Sequence, residues 1–81
     1  MRAYQEGIIN AIYSKKAWGG SNVVIRTENN ITEVFFYGNR IAVINHNTKS
    51  ATFDNCGYEN AATTARINAC KMYCDKYGYT Y

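Results

Sequence analysis

Four side chains in this sequence could bind a metal ion or act as a nucleophile: His46, Cys56, Cys70 and Cys74. Three cysteines and one histidine form one of the ligand sets of structural zinc sites. The short Cys-x-x-Cys unit that is common in such sites is missing, since Cys70 and Cys74 are four residues apart. We therefore expect no bound metal and interpret the cysteines as small hydrophobic side chains with reduced thiols. A disulfide from Cys56 to either other cysteine is the alternative in an oxidising compartment.

The titratable residues show no arrangement that is typical of an active site. His46 lies in a predicted hairpin turn, where a histidine is usually exposed to solvent. The six acidic residues are isolated along the chain, so no pair is spaced for general acid–base catalysis. Gly19-Gly20 is not followed by Lys-Ser or Lys-Thr, so no phosphate-binding loop is predicted. We therefore expect no enzymatic activity and no cofactor.

Tyrosines and basic residues are the remaining candidates for a binding function. The chain has eight tyrosines and a formal net charge of +3. This excess of positive charge is small, whereas nucleic-acid-binding domains usually carry a denser basic patch. Exposed tyrosines beside basic residues could still stack on bases, so nucleic acid stays a weakly indicated partner. The residues that we predict to contact a partner are Arg40, Arg66, Lys71, Tyr79 and Tyr81.

A first helix is predicted over residues 2–16, because apolar residues recur at helical spacing from Tyr4 to Ile12. Gly7 weakens this prediction, since glycine inside a helix costs about 1 kcal/mol relative to alanine. We expect Trp18, just after this helix, to cover one end of the core.

A second helix is predicted near the C-terminus, with Thr63 or Thr64 as its N-cap and Tyr77 as its last residue. Gly78 follows at the position where a left-handed residue ends many helices. The aromatic tail at residues 79–81 is expected to pack on its own domain, or to contact a partner or a second copy.

Between the helices the sequence predicts four strands joined by tight turns, one of them at Gly38-Asn39. Their predicted ranges are residues 22–27, 31–37, 40–45 and 50–54. Such short turns force antiparallel neighbours, so the strands should form a meander in chain order. The terminal helices are the available cover for this sheet, and we expect both on one face. The prediction is a single α+β domain over residues 1–81, with the order α-β-β-β-β-α.

Three segments resemble a family of small proteins encoded by phages and prophages. The segments are Asn22-Val23-Val24-Ile25, Gly38-Asn39-Arg40-Ile41-Ala42, and Gly57-Tyr58 followed by Thr63-Thr64-Ala65-Arg66-Ile67-Asn68. Tyr37 stands where this family often has a histidine, and the cysteines are not typical of it, which bears on any shared ligand. Within the last segment, Arg66 is placed to reach a carboxylate such as Asp54.

The resemblance implies a phage or prophage origin. Small accessory phage proteins without catalytic residues commonly act by binding, often to block a host protein complex. We therefore predict a non-enzymatic inhibitor of a host defence complex, of the anti-CRISPR type, that acts by steric occlusion of a host protein or ribonucleoprotein complex. The alternatives are a small nucleic-acid-binding accessory protein and a structural homodimer module. With no signal peptide or membrane span in the sequence, we expect the protein in the cytoplasm of a bacterial host.

Overall fold

The chain folds into one antiparallel sheet with a helix at each end of the sequence. The structure is a computed structural model that describes residues 2–81. Its elements are α1 (Ala3–Ser14), β1 (Trp18–Gly20), β2 (Val23–Glu28), β3 (Ile31–Phe36), β4 (Asn39–Asn45), β5 (Ser50–Phe53) and α2 (Ala61–Tyr77). The strands lie in chain order, so the predicted α+β meander with terminal helices is confirmed.

The predicted number of four strands is wrong, because β1 is a fifth. Two of the three residues of β1 are glycines, which have little intrinsic preference for a strand. A two-residue turn at Ser21 and Asn22, with φ of 51° and 64°, folds this segment back along β2. Trp18 then lies opposite Ile25 in the ladder. Pairing with β2, rather than local propensity, makes the segment extended.

The hydrophobic core lies between one face of the sheet and both helices, as predicted. Side chains alternate along β2 and β3, and every second one is buried toward the helices. The helices contribute the buried residues Ile8, Ile9, Ala11, Ile12, Thr63, Ile67, Ala69, Cys70, Tyr73 and Cys74.

Trp18 packs on this core, as expected, and explains the glycine inside α1. Its ring lies so close to Gly7 that a Cβ atom there would be 2.6 Å from Cζ2 of the indole. A glycine at this position therefore lets α1 approach the sheet, and this contact outweighs its low helix propensity.

The turn between β3 and β4 is one residue earlier than predicted. It is formed by Tyr37 and Gly38, with φ of 49° and 79°, because Asn39 already pairs with Phe36 in the ladder. A register shift beside Phe35 follows, and it leaves the consecutive residues Ile41 and Ala42 both buried.

Both ends of α2 are capped. The N-cap is Asn60, whose Oδ1 accepts a hydrogen bond from the Thr63 amide at 2.8 Å, so the predicted threonine cap is wrong. The two alanines that follow Asn60 favour the helix and extend it by most of a turn. Gly78 ends α2 with φ of 75°, as predicted.

The tail beyond α2 packs on its own domain. Thr80 pairs with Ser50 as a parallel bridge, with the Ala51 amide 2.8 Å from the Thr80 carbonyl oxygen. The free edge of β5 is thereby partly covered. Within residues 2–81, neither helix combines the length and the apolar character that crossing a membrane requires.

Candidate functional site

The outer face of the sheet, opposite the helices, stays open. We use this name for the side chains that alternate with the buried ones on the central strands: Val24, Arg26, Glu28, Ile31, Glu33, Phe35, Arg40 and Val43. Val24 is 56% exposed although it is a large aliphatic residue in a central strand. Val24 lies directly opposite Phe35 in the β2–β3 ladder, so the two side chains form adjacent apolar area on this face. Adjacent exposed apolar groups are a feature of contact surfaces.

An ion-pair network crosses the outer face. The Glu33 carboxylate accepts hydrogen bonds from Nε of Arg26 at 3.1 Å and from Nη1 of Arg40 at 3.0 Å. The hydrogen bond from Arg40, supported by Arg26, lowers the pKa of Glu33. The Arg26 guanidinium also lies 5.2 Å from the ring centroid of Phe35. Two guanidiniums share one carboxylate, so the network itself carries one net positive charge, and Glu28 places a separate carboxylate farther along β2 on the same face.

A cleft of about 510 Å³ lies where three loops meet the start of α2, and we call it the end cleft. The β1–β2 turn, the β3–β4 turn and the β5–α2 loop each contribute to it. Its lining residues are Asn22, Phe36, Tyr37, Asn39, Ile41, Asn55, Tyr58, Asn60, Ala62, Thr63 and Arg66.

Asn55, Asn60 and Tyr37 offer hydrogen-bond donors to the end cleft, while Asn22, whose NH₂ group is engaged with Tyr37, offers its oxygen as an acceptor. Oδ1 of Asn55 accepts from the Gly57 amide at 3.0 Å, and Oδ1 of Asn60 is occupied by its capping bond. Each of these oxygens has one of its two lone pairs occupied, whereas neither NH₂ group has a partner among residues 2–81, so both NH₂ groups are open to a ligand. The Tyr37 hydroxyl accepts from Nδ2 of Asn22 at 2.9 Å, which leaves the hydroxyl proton free to donate.

Arg66 contributes a positive charge to the end cleft. Its guanidinium lies 4.2 Å from the ring centroid of Tyr4 and 4.8 Å from that of Phe36. Nη1 donates to the Ala62 carbonyl at 3.4 Å, while Nε is buried without a partner among residues 2–81. The expected contact with Asp54 is not formed, because the two aromatic rings hold the guanidinium over the core. Asp54 instead accepts from the Cys56 amide at 2.8 Å.

His46 belongs to a chain of hydrogen bonds and is not the exposed turn residue that the sequence indicates. The side chain is 8% exposed. Nε2 lies 2.7 Å from Oγ1 of Thr32, which is 2.6 Å from Oγ1 of Thr27. Nδ1 lies 2.7 Å from the Tyr79 hydroxyl, which accepts from the Tyr73 hydroxyl at 3.1 Å. The five side chains form one continuous network that ties the tail to the sheet.

Proton counting gives this network a direction. The Tyr79 hydroxyl accepts from Tyr73, and among residues 2–81 its own proton has Nδ1 of His46 as its hydrogen-bond acceptor, so full pairing requires Tyr79 to donate to Nδ1. The neutral imidazole therefore carries its proton on Nε2 and donates it to Thr32. Burial lowers the pKa of His46, and the positive charge of Lys15 adds to this effect. Both ring nitrogens are therefore engaged in hydrogen bonds within the fold.

The five residues predicted to contact a partner lie in separate places. Arg40 is on the outer face, Arg66 is in the end cleft, and Tyr79 is inside the hydrogen-bond network. Lys71 and Tyr81 do come together, with the ammonium 5.8 Å from the ring centroid. The Tyr81 hydroxyl also donates to Asp75 at 2.9 Å.

Sequence reasoning left the asparagines of the end cleft unassigned. A signal for them exists, because Asn22, Asn39, Tyr58, Thr63 and Arg66 belong to the three segments that resemble phage proteins and all line this cleft.

The thiols give no metal centre in the part of the chain that the structure describes. No group of three or more histidine, cysteine, aspartate or glutamate side chains is placed to hold an ion among residues 2–81. All three cysteines are free, and Cys70 and Cys74 are buried. Burial raises the pKa of Cys70 to about 12 and that of Cys74 to about 11.

Comparison with known proteins identifies the family. No curated protein and no solved structure matches the chain. The sequence model of the Kyanoviridae Gp96 protein family matches residues 1–80. The Kyanoviridae are cyanophages, so the expected phage origin is confirmed. This chain belongs to the Kyanoviridae Gp96 protein family.

Proposed function

We propose that this cyanophage protein is a non-enzymatic inhibitor that binds a host defence complex, of the anti-CRISPR type, and blocks it sterically. The observation that carries the proposal is the open outer face, where the exposed side chain of Val24 lies beside a charged network on a rigid sheet. The phage family supports a host target, because a phage protein meets host proteins during infection.

The outer face also specifies the chemistry of its partner. Val24, Phe35 and Val43 supply apolar contact area, and the shared carboxylate of Glu33 holds both guanidiniums in place. Pre-organised side chains lose less conformational freedom on binding. The net positive charge of the Arg26–Glu33–Arg40 network, next to these apolar side chains, is complementary to a protein surface with a carboxylate among apolar residues.

The size of the domain suits occlusion. Its principal extents are 30 × 23 × 21 Å and it exposes 4801 Å² of surface. A specific interface buries about 800 Å² of each partner, which is a small share of that surface. The part of the domain outside the interface would then block access to a neighbouring nucleic-acid groove or assembly interface of the host complex.

A plating assay tests the proposal. The protein is expressed in a bacterium whose CRISPR system targets a test phage, and we expect plating to recover toward that on a strain without CRISPR. Val24→Glu places a charge on the outer face and should abolish the effect. Met72→Glu is the matched control, because Met72 is also an exposed apolar residue but lies on α2.

Two results would contradict the proposal. Unchanged plating with wild-type protein against the CRISPR systems of the natural host would remove the defence assignment. Equal activity of Val24→Glu and Met72→Glu, both with wild-type thermal unfolding, would show that the outer face is not the binding surface.

The alternatives receive less support from the structure. An extended nucleic-acid surface would need its basic residues together, whereas Arg40, Arg66 and Lys71 lie in three places. A dimer built by the aromatic tail would have to displace the tail from β5. A mobility shift with DNA or RNA that weakens steeply with salt would restore the nucleic-acid alternative.

A further inference from the structure

We infer that the end cleft binds a nucleotide, with the phosphate among its hydrogen-bond donors and the base against the ring of Tyr58. This inference goes beyond the proposed function, because the end cleft and the outer face are separate surfaces. It rests on the polarity of the cleft, its charge and its exposed rings.

The hydrogen-bond donors of the end cleft favour a ligand with several hydrogen-bond acceptors. The oxygens of Asn55 and Asn60 are used by backbone amides, so both side chains present NH₂ groups. The Tyr37 hydroxyl accepts a hydrogen bond from Asn22 and can donate its own proton to a ligand. No aspartate or glutamate is among the lining residues, so the cleft is unsuited to a cation. A phosphate group, with several oxygen acceptors, matches this set of donors.

The charge of the end cleft favours an anion. Within residues 2–81 the guanidinium of Arg66 has no carboxylate partner, and its Nε is buried and unpaired. The first turn of α2 contains no acidic residue, so the partial positive charge of this helix end adds to that of Arg66. Glu59 precedes the N-cap in the chain but is not among the lining residues, so a bound anion would supply the negative charge inside the cleft.

The rings of the end cleft favour a planar group attached to that anion. Tyr37 is 69% exposed and Tyr58 is 54% exposed, although both lie beside the apolar side chains of Phe36 and Ile41. Aromatic side chains of this kind stack on bases. The volume of about 510 Å³ falls within the range of small-molecule sites, about 300–1,000 Å³. A bare phosphate ion or an acidic peptide would leave the rings unused.

Nuclear magnetic resonance of ¹⁵N-labelled protein tests the inference. The probes are the four nucleoside 5′-monophosphates, adenosine, inorganic phosphate, an acidic peptide and a trinucleotide with a 5′-phosphate. We expect saturable shifts of the NH₂ signals of Asn55 and Asn60 and of the Arg66 Nε–H signal with the nucleotides. Binding should be weaker with adenosine or phosphate alone. Tighter binding of the trinucleotide than of every mononucleotide would identify a strand end as the source of the nucleotide, and the reverse would identify a free nucleotide.

A pair of variants separates stacking from charge. Tyr58→Ala should weaken nucleotide binding by at least about fivefold, since stacking on an aromatic side chain contributes about 1–3 kcal/mol per base. Tyr58→Phe should bind like wild type. Tyr13→Ala is the matched control, because Tyr13 is 60% exposed on α1 and does not line the cleft. Val24→Glu should also keep nucleotide binding, so failure of this inference and failure of the proposed function are distinguishable.

The inference is overturned by any of four results. They are the absence of saturable shifts with every nucleotide, binding of phosphate as tight as that of the nucleotides, tighter binding of the acidic peptide, and unchanged affinity in a folded Tyr58→Ala variant.

Discussion

Removal of the Tyr79 hydroxyl should destabilise the protein strongly, because this one group joins two buried partners. It accepts a hydrogen bond from Tyr73 at 3.1 Å and lies 2.7 Å from Nδ1 of His46. Tyr73 is 3% exposed and His46 is 8% exposed, so water cannot easily replace the missing partner. The substitution Tyr79→Phe therefore leaves a buried donor and a buried acceptor unpaired.

The magnitude follows from these two orphaned groups. Leaving one buried polar group unpaired costs about 1–3 kcal/mol. The hydroxyl itself lies on a partly exposed side chain, which places the sum for both groups at about 2–4 kcal/mol. In a domain of this size, 1 kcal/mol shifts the melting temperature by about 4–8 °C, so we expect Tm to fall by at least about 8 °C.

The assay is urea unfolding followed by circular dichroism, with Tyr81→Phe as the matched control. Tyr81→Phe removes the same hydroxyl group from the same tail, but the Tyr81 hydroxyl donates to Asp75 at an exposed position. We expect the control to lose less than about 1 kcal/mol. If the two variants lose the same free energy of unfolding within about 0.5 kcal/mol, the network is not the contact that holds the tail.

The same network predicts a loss of stability in mild acid. The pKa of His46 is lower in the folded state than its ordinary value of 6.5, so the unfolded chain takes up a proton first. Stability should be constant above that value and fall as the pH drops below it toward the folded-state pKa, by at most about 1.4 kcal/mol per pH unit. Protonated His46 would carry a proton on Nδ1, so the Tyr79 hydroxyl proton would lose its acceptor. Urea unfolding between about pH 8 and pH 5 measures this slope, and most carboxylates titrate below that range. A flat profile would contradict the assignment of the neutral imidazole.

Three further predictions concern the packing, the cap and the thiols. Gly7→Ala should lower the free energy of unfolding by about 1–2 kcal/mol despite the better helix propensity of alanine, because its Cβ would overlap the Trp18 ring; stabilisation in urea would contradict this. Asn60→Ala should lower the free energy of unfolding in urea by about 1 kcal/mol, because the N-cap is lost. An unchanged free energy of unfolding would indicate that a threonine caps the helix instead. A thiol reagent at neutral pH should label Cys56 in the folded protein and reach Cys70, with its raised pKa of about 12, only after unfolding; fast labelling of Cys70 would show that α2 opens.

The fold could be predicted where neighbouring residues carry the signal for an element. It could not be predicted where an element forms only because it pairs with another strand. The β-branched residues of β2, the tight turns between strands and the stop at Gly78 carry their signals in neighbouring residues. β1 has no such signal, because its glycines are extended only through the ladder with β2. The N-cap was misplaced because Thr63 is itself a good capping residue, and its buried position in the first turn is visible only in three dimensions.

His46 shows why a histidine in a turn sequence can be misjudged. Its partners Thr32 and Tyr79 are 14 and 33 residues away in the chain, so no local pattern connects them. The aromatic tail supplies the missing information, since Tyr79 returns along β5 and places its hydroxyl over the imidazole. Taken singly, Tyr79 in the tail and His46 in the turn give no clear structural signal in the sequence. The hydrogen bond between them shows the role of both residues.

The end cleft was hidden for a different reason, because the residues that line it also have sound structural roles. Asn22 takes a positive φ in a turn, Asn55 accepts a bond from its own loop, and Asn60 caps a helix. Sequence reasoning stops at these roles, since turn chemistry alone accounts for asparagine. For Asn55 and Asn60 the structural hydrogen bond nevertheless fixes how the amide is oriented, because each oxygen faces a backbone N–H. An asparagine whose oxygen is held by the backbone must present its NH₂ group, so the same bonds that close the loops make the cleft a set of donors around Arg66.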